Sequence, residues 1–393
     1  MVLLLSLLLP ASAALCQDSV WFARTTGKYP FLEYGIGDDR LGGAKMGFLD
    51  SNILVKIIDS FQTDYKIQLS KNHAAYIAKT SVVPQGSRVA NRPVAHNTHL
   101  SGNLRVYGDT AYDYVSISLD EKLPYHSFQL IGPSRIAIDL FGVTSNTNWI
   151  TQLRTAKEIR NTWYEQVEDD VLRVYIDLKH EQHWGHSLSY DSAGHHLIVK
   201  IKRQPPLPAD IRSLRIAIDP GHGGTNSGAS GTASGILEKD YTLLIAKEVY
   251  KTLKKMGVRN VFMTRTKDTT LSMPERTDLL RTFNPHFLVS IHLNSADSAG
   301  IEGTSTYYRY IGFRPLSQAI LKQMLTLGLG EYGNVGNFNF SLNGPTDYPN
   351  ALVEVAFLSN PSDEKKILNP AFRRQVAQKI YLGINDWLKQ LKP

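Results

Sequence analysis

A proline-rich segment at residues 202–213, KRQPPLPADIRS, divides the chain into two parts with different hydrophobic patterns. Before it, short runs of β-branched and aromatic residues recur between turn residues, a pattern typical of small all-β domains. After it, strand-like runs alternate with stretches of helical periodicity, which indicates an open α/β sheet covered by helices. The closely spaced prolines favour extended backbone, so residues 204–213 are predicted to be a stiff linker.

The β-rich part is long enough for two modules, since a chain of 393 residues exceeds one ordinary core. Residues 20–84 are predicted to form a small barrel, because their strand-like runs are short and separated by tight turns. Residues 98–203 are predicted to form a β-sandwich. In VLRVYIDLK, residues 171–179, apolar and polar side chains alternate as in a half-buried strand.

Two stretches in these modules resemble known families. The first stretch, DYKIQLSKNHAAYIAKTSV at residues 64–82, resembles the bacterial Src-homology-3-like barrels that accompany cell-wall enzymes. A plain β-module that binds no ligand is the alternative interpretation. YHSFQLIGPSRIAIDLFG, residues 125–142, resembles the AMIN domain, a sandwich that anchors envelope proteins to peptidoglycan. The two resemblances imply N-terminal modules that bind the cell wall.

The chain opens on MVLLLSLLLPASAALCQ, an apolar run that ends in small residues and is typical of a secretory signal. Residues 1–16 are therefore predicted to be a signal peptide, and the protein is predicted to be exported, either to the periplasm or cell envelope or into the medium. Cys16, the only cysteine, lies in this segment, so the exported chain would have no internal disulfide and no thiolate nucleophile. No other segment is long and apolar enough to predict a stable membrane span.

The charge balance favours an anionic partner. Lys and Arg number 43 against 36 Asp and Glu, a formal net charge of +7. The basic residues are scattered, without an arginine-rich tract or interleaved aromatic residues, so nucleic acid is not predicted as a partner. An anionic polymer or surface of another kind agrees better with this distribution.

The stretch IAIDPGHGG, residues 216–224, places one histidine at the tip of a strand. The strand-like run ends at Asp219, Pro220 breaks it, and the surrounding glycines permit the backbone turns that would present His222. The loop is not a phosphate-binding loop, because it lacks the Gly-Lys-Ser/Thr of a P-loop and the third glycine of a dinucleotide fingerprint.

Three further residues fall at strand ends or at a helix start in the same domain. His292 ends the apolar run FLVSIH, and Glu238 opens a helix in GILEKDYTLL. Two neutral imidazoles and one carboxylate can bind Zn²⁺ and leave its fourth position for a water, whose pKa falls to about 7. Glu354 lies in the apolar run NALVEVAF, where burying an unpaired charge costs free energy. It therefore has either an oppositely charged partner or a catalytic role such as general base.

Each of these four residues also has a purely structural interpretation. His222 could be a histidine among turn glycines, and His292 a satisfied core residue. Glu238 could be a helix N-terminal charge and Glu354 a buried salt-bridge partner. Their shared location at the predicted functional edge of one sheet favours a common site over four separate structural roles.

A second group of histidines lies in HEQHWGHSLSYDSAGHH, residues 180–196. It contains five of the twelve histidines: His180, His183, His186, His195 and His196. The segment belongs to the sandwich region, where no carboxylate-rich edge accompanies it, so no metal site is predicted there.

Residues 214–390 resemble the catalytic domain of zinc-dependent N-acetylmuramoyl-L-alanine amidases. The motifs IDPGHGG, EKD at a helix start, SIHLN and LVEVAFLSNPSDE occur in the family's order. The resemblance implies zinc ligation by His222, Glu238 and His292. It implies catalysis by Glu354, with a zinc-activated water cleaving the amide between N-acetylmuramic acid and the L-alanine of the stem peptide. Peptidoglycan glycan strands and stem peptides would be the partners, and the need for a protein activator stays open.

Some relatives carry a helical insertion that covers the zinc. Here TSTYYRYIGFRPLSQAI, residues 304–320, passes from strand to helix within a few residues, so no such gate is predicted. The connector EYGNVGNFNFSLNGPTDYPN, residues 331–350, is polar, aromatic and glycine-rich. This composition suits a groove wall that contacts the stem peptide or sugar, and an ordinary surface loop is the alternative.

Two other functions stay open at this point. Glu238 and Glu354 could be the carboxylate pair of a glycosidase. The fold could also belong to a non-catalytic wall-binding protein or activator. The presence of all four candidate residues favours the zinc amidase.

Overall fold

The computed structural model describes residues 20–37, 42–85 and 99–392. The predicted signal peptide at residues 1–16 lies outside them, as does most of the segment between the two β-modules. Within the described residues, no helix combines the length and the apolar character that crossing a bilayer would need.

The first module consists of seven short strands. They are β1 (Trp21–Thr25), β2 (Phe31–Glu33), β3 (Lys45–Phe48), β4 (Leu54–Ser60), β5 (Asp64–Gln68), β6 (Ala74–Ala78) and β7 (Val82–Pro84). They pair antiparallel in one sheet with the order β3-β2-β6-β5-β4-β1-β7. The all-β prediction is confirmed, whereas barrel closure stays a prediction, because the described residues form no ladder between β3 and β7.

The second module contains ten strands in two sheets. They are β8 (His99–Gly108), β9 (Tyr112–Leu119), β10 (Tyr125–Leu130), β11 (Arg135–Phe141), β12 (Val143–Ser145), β13 (Ile150–Gln152), β14 (Ile159–Glu168), β15 (Val171–Leu178), β16 (His186–Tyr190) and β17 (His196–Lys202). One sheet has the order β10-β11-β15-β14, and the other has the order β12-β8-β9-β17-β16, with β13 beside β8. In β15, Leu172, Val174 and Ile176 are buried and alternate with half-buried residues, as the period-2 pattern predicts. The core is continuous with that of the first module.

The C-terminal domain alternates strands with helices. Its strands are β18 (Arg215–Pro220), β19 (Asn260–Met263), β20 (Phe287–Asn294), β21 (Thr304–Tyr307), β22 (Glu331–Val335) and β23 (Asn350–Phe357). Its helices are α1 (Glu238–Lys255), α2 (Met273–Phe283), α3 (Arg314–Leu325), α4 (Pro361–Leu368) and α5 (Pro370–Lys389). The sheet order is β19-β18-β20-β23-β21-β22, and α5 packs against α1 and α3. The predicted open α/β sheet covered by helices is confirmed.

Two elements of this domain have weak sequence signals. β22, EYGNV, lies within the predicted connector; it is an edge strand with two exposed residues and no buried one, so it lacks an apolar alternation. α4, PSDEKKIL, spans only eight residues. Its start is fixed by Asn360, whose side chain accepts hydrogen bonds from the N–H groups of Ser362 and Asp363.

The strand order brings the candidate residues to one edge of the sheet. β18, β20 and β23 are adjacent and parallel, so their carboxyl ends lie together. His222 follows β18, while His292 and Glu354 are direct register partners in β20 and β23. Cross-strand partners project to the same face of a sheet, which places these two side chains side by side.

The histidine-rich segment 180–196 docks the sandwich onto the α/β domain. Trp184 is 2% exposed and belongs to the α/β core, with its ring centroid 5.1 Å from that of Trp387. The Gln182 amide nitrogen donates to the Gly312 carbonyl at 2.8 Å, and its oxygen accepts from Trp387 Nε1 at 2.8 Å. The segment therefore forms a domain interface, which the spacing of its histidines did not indicate.

Two buried histidines of this interface predict a loss of stability in acid. Burial disfavours the charged imidazolium, so the pKa of His183 is lowered to about 4 and that of His186 to about 3. An unfolded histidine has a pKa near 6.5, so the unfolded chain binds these protons first as the pH falls. Each histidine is therefore expected to lower the free energy of unfolding by about 1.4 kcal/mol per pH unit below 6.5, until its folded pKa is reached.

Urea unfolding at pH 7.5, 6 and 5 measures this slope. The variants His183→Gln and His186→Gln lack the titrating group and should lose less stability between pH 6.5 and 5 than the wild type. Equal slopes in all three proteins would show that these two side chains are not the source of the acid sensitivity.

Candidate metal centre

The loop after β18 holds His222 in a left-handed backbone conformation. His222 has a φ of 59°, and Gly223 and Gly224 follow with φ of 132° and 58°. This conformation is uncommon for a residue with a side chain, and such residues cluster at functional sites. Gly221 has a different role, because a Cβ at this position would overlap the His292 ring.

Glu238, the first residue of α1, connects both histidines. Its Oε1 lies 3.1 Å from His222 Nε2 and 3.0 Å from His292 Nδ1. The same oxygen accepts a hydrogen bond from the Leu293 N–H at 3.0 Å, and Oε2 accepts one from the Ala229 N–H at 2.8 Å. Backbone donors on two sides thus fix the carboxylate between the imidazoles.

The donor set fits a zinc ion. One ligand atom from each of His222, Glu238 and His292 lies within 4.8 Å of the other two. Imidazole nitrogen and carboxylate oxygen are ligands that Zn²⁺ prefers, and three protein ligands leave a position open. Gly228 allows this close approach, since a Cβ there would overlap Glu238 and His222. Asn226 Oδ1 lies 2.9 Å from His222 Nδ1 and so orients the ring from behind.

The electrostatics of the cluster favour a cation. Burial disfavours the charged form of Glu238, but hydrogen bonds with His222 and His292 outweigh burial and hold its pKa below the ordinary value. Burial would also lower the pKa of His222, yet its hydrogen bond and charge interaction with Glu238 raise it. The carboxylate is therefore ionised and carries the negative charge of the cluster.

A buried ion pair supports the loop of His222. Arg276 in α2 is 1% exposed, and its Nη1 lies 2.5 Å from Asp219 Oδ1. Its Nη2 donates to the His222 carbonyl at 2.5 Å. Burial would raise the pKa of Asp219, but Arg276 and the hydroxyls of Thr264 and Ser290 hold it below the usual value. The prediction from sequence missed Arg276; a charged residue on the buried stripe of α2 is the signal that could have found it.

Glu354 lies beside the cluster without belonging to its ligand set. It is the half-buried residue of β23, whose other residues are buried. Its register partners are His292 on one side and Ser305 of β21 on the other. Tyr307, also in β21, lies close enough that burial and the charge of Glu354 both raise the pKa of its hydroxyl. The four residues predicted from sequence therefore share one edge, with three in the cluster and one beside it.

The connector between β22 and β23 forms one wall of this edge. The Phe340 ring packs edge-to-face on His292, with centroids 5.4 Å apart. The Phe338 ring lies 4.5 Å from that of Tyr307, whose hydroxyl is 3.3 Å from Asn294 Nδ2. These contacts place the segment beside the cluster, and its role as a groove wall that contacts the stem peptide or sugar stays a prediction.

The fold and the cluster together define a class: an α/β domain with a candidate metal centre at the carboxyl edge of its sheet. Residues 216–386 match the family profile described as N-acetylmuramoyl-L-alanine amidase, and residues 103–201 match that of the AMIN domain. The AMIN resemblance of the second module is thus confirmed, while the Src-homology-3-like resemblance of the first stays a prediction.

One curated relative and two solved structures are similar to parts of this chain. A probable cell wall amidase, LytH of Staphylococcus epidermidis, is 34% identical over 201 residues, and the match spans 50% of this chain and 66% of that relative. The catalytic domain of CwlV, an N-acetylmuramoyl-L-alanine amidase from Bacillus (Paenibacillus) polymyxa var. colistinus, is 33% identical, with 44% of this chain and 98% of that one covered and a TM-score of 0.43. An N-acetylmuramoyl-L-alanine amidase from Clostridium difficile 630 is also 33% identical, with 46% and 98% covered and a TM-score of 0.44. Residues 216–386 therefore form a domain of the N-acetylmuramoyl-L-alanine amidase family.

Proposed function

We propose that this protein hydrolyses the amide bond between N-acetylmuramic acid and the L-alanine of the stem peptide in peptidoglycan. The observation that carries the proposal is the convergence of His222, Glu238 and His292 at one sheet edge, with Glu354 beside His292 in the next strand. The match of residues 216–386 to the profile described as N-acetylmuramoyl-L-alanine amidase supports the same bond.

His222, Glu238 and His292 would hold Zn²⁺. When bound, the ion supplies a positive charge that polarises a carbonyl oxygen and lowers the pKa of a water. Glu238 keeps its position because backbone N–H groups hold both of its oxygens, and His222 keeps its ring orientation through Asn226. Such outer contacts fix the ligands before the substrate arrives.

Glu354 is proposed as the general base and acid. Its carboxylate takes a proton from the attacking water and donates it to the leaving amine of L-alanine as the carbon–nitrogen bond breaks. Its place next to His292 on the same face of the sheet supports this role, because proton transfer requires the base within hydrogen-bond reach of the water.

The preceding modules would keep the enzyme on its substrate. The AMIN domain and the formal charge of +7 both suit an anionic cell-wall polymer, and the predicted signal suits an exported protein. We also propose that no helical gate covers the cluster between β21 and α3. The chain passes between these elements through a single turn at Ile311–Phe313.

Metal removal is expected to abolish the activity reversibly. Purified protein should release soluble fragments from dye-labelled sacculi, stop after treatment with a zinc chelator, and recover when Zn²⁺ is restored. Mass spectrometry of the products should find new L-alanine amino termini and intact glycan strands.

The same experiment separates the alternatives. Reducing sugar ends that continue to form under chelation would indicate a glycosidase. Binding to sacculi without release of any product, with Zn²⁺ supplied, would indicate a non-catalytic wall-binding protein or activator.

A further inference from the structure

The first β-module contacts the connector that walls the metal cluster. Asn339 makes two hydrogen bonds with the backbone beside and within β3: its Nδ2 donates to the Gly43 carbonyl at 2.8 Å, and its Oδ1 accepts from the Lys45 N–H at 3.1 Å. Arg309, which follows β21, donates to the Lys45 carbonyl. The module is thus bonded to the loops on one side of the cluster.

Asn339, which makes two of these contacts, is flanked in sequence by two residues that pack beside the cluster. Phe340, next to Asn339, packs on the His292 ring, and Phe338, on its other side, packs on Tyr307. The connector has little regular structure of its own, so its ordering depends on bonds to neighbouring elements. The Asn339 bonds lie between the two rings, and the Phe338 N–H also bonds the Tyr308 carbonyl at 3.1 Å, so loss of the Asn339 bonds should loosen Phe340 in particular.

A second contact of the module ends on α2, the helix that supports the loop of His222. The Tyr29 hydroxyl donates to Asp278 Oδ1 at 2.6 Å, and Lys28 Nζ lies 2.6 Å from Asp278 Oδ2. Asp278 belongs to α2, two residues after Arg276, the side chain that donates to the His222 carbonyl. Each docking contact therefore ends on an element that contacts one histidine of the cluster: Phe340 of the connector packs on His292, and Arg276 of α2 donates to the His222 carbonyl.

We propose that docking of the first β-module positions the groove wall beside the metal cluster, with Asn339 as the positioning residue. The module is then part of the working amidase in addition to any role in wall binding. The inference rests on the proposed function only for the reaction that is measured, because the order of the connector can be measured without it.

The test compares wild type with Asn339→Ala in the full chain. Hydrogen–deuterium exchange over residues 336–345 should become about tenfold faster, equivalent to about 1.4 kcal/mol of local stability, because both hydrogen bonds of the Asn339 side chain with the first module are lost. The value of kcat/KM on sacculus fragments should fall about tenfold through a higher KM, with one zinc per chain retained. Asn339→Asp keeps the acceptor for the Lys45 N–H and should give an intermediate value.

The matched control is Lys45→Ala, which leaves the backbone groups that contact Asn339 in place and should match the wild type in exchange. If Asn339→Ala does not fold, Asn339→Asp replaces it, with faster exchange over residues 336–345 as the expected result, because the bond to the Gly43 carbonyl is lost. Unchanged exchange in the variant used overturns the inference. If the wild type releases no L-alanine termini, only the proposed reaction is contradicted. The exchange comparison still tests the positioning role of Asn339.

Discussion

Replacing Glu354 with glutamine is expected to leave one zinc bound per chain and to lower turnover by about 10²–10⁴-fold. Glutamine has nearly the same shape but cannot take up a proton at neutral pH, so only the proton transfer is lost. The cluster of His222, Glu238 and His292 does not include Glu354, so its geometry should be preserved. Metal analysis and the rate of release of L-alanine termini from sacculi are the two measurements.

Glu331→Gln is the matched control, because Glu331 is an exposed carboxylate on the edge strand β22 of the same sheet. It should retain both zinc and turnover. Loss of zinc in the Glu354 variant would mean that this residue is a ligand. Full turnover in that variant would mean that another group transfers the proton.

Replacing Arg276 with methionine is expected to lower the free energy of unfolding by about 3–5 kcal/mol, because it leaves the charge of Asp219 buried without its partner. Both side chains of this ion pair are at most 1% exposed. The hydroxyls of Thr264 and Ser290 remain as donors to Asp219 but do not supply a positive charge. The variant should also bind zinc more weakly, since the His222 carbonyl loses its donor.

Denaturant unfolding and zinc titration measure these two effects. Arg276→Lys keeps the charge but loses the two-nitrogen geometry, so it should fall between the wild type and Arg276→Met. Lys251→Met removes an exposed ion pair on α1 and should change stability by less than about 1 kcal/mol. A loss for Arg276→Met as small as that for Lys251→Met would show that the buried pair does not support the loop.

Much of the site could be predicted because its residues carry local signals. A strand followed by proline and glycines indicates a presented side chain, and an apolar strand that ends in histidine indicates a second one. Parallel strands place their carboxyl ends at one edge, so His222, His292 and Glu354 could be expected together before any coordinates were known. A helix of about residues 239–256, with Glu238 at its amino end, was expected from its apolar face, and α1 begins at Glu238.

Other functional contacts had no comparable signal. Arg276 and Asp219 are separated by 57 residues, and Asn339 and Lys45 by 294. Periodicity describes which face of an element is buried, but it does not describe which distant side chain lies opposite. For the same reason the composition of the histidine-rich segment 180–196 did not indicate that it joins two domains.

The sequence by itself indicated the all-β and α/β parts and placed four candidate residues at strand ends or a helix start, because strand and helix periods and turn residues act over short stretches of chain; the roles of the four came from the family resemblance. Only the tertiary structure decided how the domains dock and what holds the site in place. Those contacts depend on side chains that meet across elements far apart in the chain, such as the Asn339 amide on the backbone of β3.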